Sequence, residues 1–216
     1  MMAQDRKVDA RRGRWHRSLI GRFLGNRQGV TAIEFGIISA PLLGLIFAIF
    51  QSAMAFLMQQ GLRAALDNAA RQVLTGQAQN NSGITDGASF RDTLICGKSL
   101  LPSFMTCSQI VVDLRTYTSF SSMSAANVNS SFLNSDGSGA QYNSGNPCDI
   151  MIVRAAYPMQ SFLPLITWGS AYQMVQNVSG LRAYKGSMVQ MLSAAAVFRN
   201  EPFVSASGSN ATSCTG

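Results

Sequence analysis

Few side chains in this 216-residue sequence are placed to do chemistry, and the one in the least expected position is Glu34. It stands in GVTAIEFG, Gly29 to Gly36, at the threshold of an uncharged apolar run, where an unpaired carboxylate is expensive. Beyond residue 76 the acidic groups Asp86, Asp92, Asp113, Asp136, Asp149 and Glu201 are scattered singly, and no local spacing pairs two of them for acid–base work. The single histidine, His16, precedes the apolar run, so no Ser/His/Asp or Cys/His arrangement can be built after it. There is no phosphate-cradling glycine loop of the P-loop type and no H-E-x-x-H pair. The pattern points away from an enzyme and implies no cofactor.

The four cysteines, Cys96, Cys107, Cys148 and Cys214, all follow the apolar run. Their spacings are not those of C-x-x-C zinc knuckles, and no histidine lies near to complete a mixed site, so no metal is expected. Two disulfides in an oxidising compartment are the better use. Of the three connectivities, Cys96 with Cys107 and Cys148 with Cys214 is preferred, the others remaining open.

The elements that must position these residues begin with charge and hydropathy. The formal net charge is +7, and residues 1–29 hold Arg6, Lys7, Arg11, Arg12, Arg14, Arg17, Arg22 and Arg27 against Asp5 and Asp9, so most of the excess lies there. From Phe35 to Met58 the chain reads FGIISAPLLGLIFAIFQSAMAFLM without a charge. About 20 apolar residues cross a hydrocarbon core, and this run is read as a transmembrane helix. The basic flank places the N-terminus in the cytoplasm and 77–216 on the other side. That Arg-rich arm, with Trp15, Leu19, Ile20 and Phe23, suits a topology signal or an anionic lipid surface. No groove-reading element accompanies it, so nucleic acid is not an expected partner.

Helical periodicity continues past Met58. In QQGLRAALDNAARQVLTG the positions Leu62, Ala65, Leu66, Ala69, Ala70, Val73 and Leu74 share one face, and Arg63, Asp67 and Arg71 sit four apart on another, where Asp67 could pair with either arginine. Gly76 is the expected C-cap. One helix from Val30 to Thr75 would be about 69 Å long, more than twice the hydrocarbon thickness. Its amphipathic extension, 59–76, needs a partner surface.

After Gly76 the patterns shorten. QIVVDLRTY (Gln109 to Tyr117) alternates, with Ile110, Val112 and Leu114 on one face and Asp113, Arg115 and Tyr117 on the other, as in a half-buried strand. DIMIVRAAYP (Asp149 to Pro158) reads as a strand ended by its proline. GSMVQMLSAAAVF (Gly186 to Phe198) fits strand or helix, and strand suits its context. The Ser/Asn/Gly-rich stretch about 119–147 reads as a surface loop, and 205–216 as a loosely held tail. The expected fold is α+β: a long N-terminal transmembrane and amphipathic helix followed by a small antiparallel sheet in 77–216.

The segment Arg27-Gln28-Gly29-Val30-Thr31-Ala32-Ile33-Glu34-Phe35, a basic flank, a glycine, four uncharged residues, a glutamate, an aromatic and a long apolar run, is the pattern of a type III prepilin signal. The chain resembles the TadE-like family of minor pseudopilins of the tight-adherence (Tad) pilus, within the type IV pilus superfamily. Pro41 early in the span, AARQVLTG at the helix end and AVFRNEPF with Arg199, Asn200, Glu201 and Pro202 extend the likeness. The resemblance implies a pilin-like arrangement and a structural and assembly role in adhesion. It implies cleavage between Gly29 and Val30 by a membrane-embedded prepilin peptidase, with glycine leaving the backbone free to extend into the protease cleft. Glu34 and Phe35 would then serve assembly, the glutamate meeting the α-amino group that cleavage exposes on a neighbouring subunit. Expected partners are the peptidase, other pilins and pseudopilins, the inner-membrane assembly platform and the lipid bilayer. The expected location is the bacterial inner membrane, single pass, with incorporation into an extracellular pilus left open.

Two other readings fit parts of the sequence. In one, the chain is an uncleaved single-pass anchor presenting a protein-binding domain. In the other, Ala53-Met54-Ala55 is an A-x-A site and the protein is secreted after a cut near Ala55, although the apolar run continues through Phe56, Leu57 and Met58.

Overall fold

The computed structural model describes residues 30–125, 132–160, 181–204 and 214. Helix α1 (Val30–Leu74, 45 residues) is followed by the short helix α2 (Gly87–Phe90), a π-helical stretch (Arg91–Cys96) and a 3-10 turn (Cys107–Gln109). Strand β1 (Val111–Tyr117), helix α3 (Phe120–Ala125) and strands β2 (Ile150–Gln160), β3 (Leu181–Tyr184) and β4 (Ser187–Arg199) complete the described chain. The fold is α+β. It divides into two units at Ile49/Phe50.

In the second unit the four strands form one antiparallel sheet in the order β1-β2-β4-β3. A two-residue turn, Lys185-Gly186, joins β3 to β4, both residues at positive φ as such a turn requires. The helix residues Ala55, Met58, Leu62, Ala65, Leu66, Ala69 and Val73 recur every three or four positions and are buried. They share a core with Val112 and Leu114 of β1, Met151, Val153, Ala155 and Tyr157 of β2, and Leu192 and Ala194 of β4. Three alanines in the helical stripe let its backbone lie close to the sheet while the leucines and Met58 fill the gaps. Phe90, Leu94 and Ile95 close one side of this core. Arg63, Asp67 and Arg71 are exposed, and no ion pair joins Asp67 to either arginine among the described residues. In water, holding two long side chains together offsets most of what such a pair gains.

Two expectations about the strands need correction. Asp113, assigned to the polar face of β1, is fully buried, because that second face of the sheet is covered too. Leu133 packs there on Ala156, Tyr184 and Val189, with Phe132 beside it, so part of the 119–147 segment is a cover and not a free surface loop. Its residues Gln141 to Asn143 also line β1: the Leu114 N–H donates to Gln141 O (2.8 Å) and the Asn143 N–H to Leu114 O (3.1 Å). The second correction concerns Pro158, which does not end β2. The strand runs on to Gln160, because beyond Ala156 it is paired with β4 alone. A strand with one free edge tolerates a residue that has no N–H to donate.

Burying Asp113 is offset by a complete set of donors. Arg154, its register partner on β2, donates from Nε (3.0 Å) and Nη2 (2.6 Å) to Oδ2, while Arg115 Nε (2.9 Å) and the Gln141 N–H (2.8 Å) reach Oδ1. Arg154 is buried as well, its guanidinium 4.7 Å from the centre of the Phe132 ring. The visible hint was an arginine in the middle of the apolar run IMIVRAA.

Candidate functional site, the apolar helix and its capped end

The described part of the first unit is α1 from Val30 to Ile49. Its large side chains, among them Ile33, Phe35, Ile38, Leu42, Leu45, Phe47 and Ile49, point in every direction around the helix and are exposed. An apolar stripe would indicate a surface helix; an apolar surface all round is what a membrane or an encircling set of neighbours requires. This is the one described helix long and apolar enough to cross a membrane. Pro41 lies inside it and removes one helical N–H, a defect tolerated in membrane helices, where neighbouring groups re-satisfy the freed carbonyl. Gly36, Ala40 and Gly44 fall at four-residue intervals on one stripe, and a Cβ added at either glycine would meet open space. That stripe escaped the sequence reading, although spacing alone would have revealed it.

Glu34 is the only charged residue between Arg27 and Arg63. Its side chain is exposed and takes part in no hydrogen bond or ion pair with the described residues. Phe35 beside it is 73 % exposed. Of the expected cleavage point, Gly29 lies outside the described residues, and Val30 is the first residue of α1. The basic arm 1–29 lies outside them too.

At the other end, α1 is closed by residues far away in sequence. A helix leaves its last four carbonyls without partners. Here Arg71 O accepts from the Thr75 N–H (3.1 Å) and hydroxyl (3.0 Å), and Gln72 O accepts from the Ala78 N–H (3.0 Å). Val73 O accepts from the Gly76 N–H (3.1 Å) and from Gln79 Nε2 (3.0 Å). The fourth, Leu74 O, accepts from the Glu201 N–H (3.0 Å), from the other end of the chain. Gly76 adopts φ +77°, and a Cβ there would run into the Phe203 ring. Only glycine allows both that conformation and that contact. The segments AARQVLTG and RNEPF, read separately in the sequence, thus form one structure.

The neighbours of RNEPF fasten it further. Asn200 is buried; its N–H donates to Asp149 O (2.9 Å) and its Nδ2 to Asn146 O (2.9 Å). Arg199 Nε donates to Cys148 O (3.1 Å). Cys148 is bonded to Cys214, with Cα atoms 5.4 Å apart, and Cys96 to Cys107 at 6.2 Å. Asp92 lies close to the second bridge, but both sulfurs of that group are consumed in the disulfide and leave no thiolate to hold an ion. Asp92 instead pairs with Arg91 (2.7 Å), which holds its carboxyl below the usual range.

Residues 29–71 match the TadE-like protein family. The TadE-like segment starts at Gly29, takes in Glu34 and Pro41, and runs into the part of α1 that packs on the sheet. RNEPF and the disulfides lie beyond the match. No curated protein and no solved structure matches the chain.

Proposed function

We propose that this protein is a TadE-like minor pseudopilin, a structural and assembly component of a Tad pilus used in adhesion. The observation that carries the reading is the TadE-like match from Gly29, with Glu34 five residues into a helix that is apolar on every side. The family is one of pilus components and not of enzymes, in keeping with the scattered carboxylates of 77–216. In this reading a prepilin peptidase of the inner membrane cuts between Gly29 and Val30. The basic arm stays in the cytoplasm, and the sheet domain faces the periplasm.

The chemistry of assembly follows from where Glu34 sits. A carboxylate carried into hydrocarbon needs a partner of opposite charge. Removing residues 1–29 creates one, the α-amino group of Val30, and the Glu34 of one subunit can meet the Val30 amine of the next. Docking then removes two separate desolvation penalties, so processing and assembly become linked. Phe35 and the open stripe at Gly36, Ala40 and Gly44 supply the neighbouring contact surface. Other pilins and the assembly platform are the proposed partners.

A cut near Ala55 would sever α1 within the stretch that packs on the sheet, since Ala55 and Met58 both belong to the core. N-terminal sequencing of the protein from its native membrane tests the reading. Val30 is the expected first residue; Met1 or Met2 would make the chain an uncleaved anchor, and Phe56 would make it a secreted protein.

A further inference from the structure

The sheet domain grips α1 before the apolar run has ended. No charge occurs between Phe35 and Leu62, yet Ala55 and Met58 are already in the domain's core. On the outward side of the same turns Phe56 is 62 % exposed and Leu57 52 %. Read as a span, the helix leaves no charged spacer between hydrocarbon and domain, so the lowest parts of the domain stand at bilayer level.

One loop sits there. Residues 97–106 are closed at their base by the Cys96–Cys107 disulfide and footed on the helix at Gly61, where an added Cβ would lie 2.5 Å from Pro102 Cδ and 3.4 Å from Leu100 O. Gly61 is one turn beyond Leu57 on the same stripe, about 6 Å along the axis. The headgroup layer on each side of a bilayer is about 5–8 Å deep, so that footing falls inside it. The loop sequence LLPSFM divides its apolar residues between two directions: Leu101 and Met105 pack on the core, whereas Leu100 (40 %) and Phe104 (43 %) are exposed. Lys98 and Arg63, both exposed, add positive charge at this level, and 97–106 carries no acid.

We propose that the Cys96–Cys107 loop is a membrane-contacting element that lays Leu100 and Phe104 into the headgroup layer of the bilayer spanned by α1. Its apolar contact is continuous with that of Phe56 and Leu57, and Lys98 and Arg63 meet the lipid phosphates. The inference rests on the reading of α1 as a membrane span, and its test separates the two.

The full chain, with Trp15→Phe and Trp168→Phe, is reconstituted in phosphatidylethanolamine/phosphatidylglycerol vesicles containing phospholipid brominated near the headgroup end of its acyl chains. Single tryptophans report in turn from Ile38→Trp near the start of the span, Phe104→Trp and Leu100→Trp in the loop, and Phe120→Trp on α3. The expected result is strong quenching of the span and of both loop reporters, with none at position 120. Quenching in the span with both loop reporters as bright as Phe120→Trp would overturn the loop inference and leave the span intact. Loop emission that is blue-shifted but unquenched would mean that protein covers the loop, which also overturns it. An unquenched span reporter would remove both readings together.

Discussion

Residues Ile33 to Ile49 and Ala55 to Val73 belong to one helix, are both rich in apolar side chains, and are treated in opposite ways. The second group shows a stripe to its own sheet and charges to the outside: Leu62, Leu66 and Val73 are buried while Arg63, Asp67 and Arg71 are exposed. The first group has no such division. Its leucines, isoleucines and phenylalanines are exposed on all sides, and its single charge, Glu34, has no partner among the described residues. The difference teaches that the two parts of α1 contribute to different free energies. Burial on the sheet stabilises the domain, whereas the large side chains of the earlier part find no such burial among the described residues.

The contrast can be broken most severely in the buried network. Asp113→Ala removes the buried carboxylate to which Arg154 and Arg115 both donate and is expected to destabilise the domain by about 3–5 kcal/mol, read as a large drop in the thermal midpoint of the full chain in detergent. Leu66→Ala, within the packed stripe, should cost about 2–5 kcal/mol in the same melt. Gly76→Ala tests the capped end: the left-handed conformation alone costs about 1–2 kcal/mol in a residue with a Cβ, and displacing Phe203 adds to it. Phe47→Ala, in the exposed stretch, should leave the domain's stability within about 0.5 kcal/mol of the parent in that melt, and a loss as large as that of Leu66→Ala would erase the distinction.

The smallest effect is that of pH. Hydrogen bonds from Ser89 to Asp86, from Arg91 to Asp92 and from Ser138 to Asp136 hold these carboxyls below their ordinary 3.8. The stability they contribute is present above that pH and is lost as pH falls through the folded values. Tyr142 works in the other direction, since burial raises its phenol above 10.0. Its contribution is present below pH 10.0 and is lost as pH rises through the raised value. Because the three carboxylates are exposed, melts from neutral pH down to pH 3 should show a shallow acid limb.

What could be read from the sequence was what depends on local period. The amphipathic stripe from Leu62 to Val73, the Gly76 cap and strand β1 follow from spacings of three or four and of two, whereas β2 shows only as an apolar run and β4 suits strand or helix until its pairing is known. What could not be read depends on which distant segments meet. Asp113 looks like a surface residue until Leu133 and Phe132 are known to cover its side of the sheet. Pro158 looks like a terminator until the end of β1 at Val111 is known to leave its edge free. The role of Glu201 as a cap is invisible in one dimension, because it acts through a backbone N–H that any residue but proline would supply.

The central claim is that the carboxylate of Glu34 acts between subunits and adds nothing to the fold of its own. The most direct measurement is the Glu34→Ala chain expressed in its native host, with the N-terminus of the protein and the surface pili scored in parallel. The account predicts a protein with the parent's thermal midpoint that is still cut before Val30 and fails to enter pili. Normal pili from the Glu34→Ala chain, or a domain that no longer folds, would contradict it.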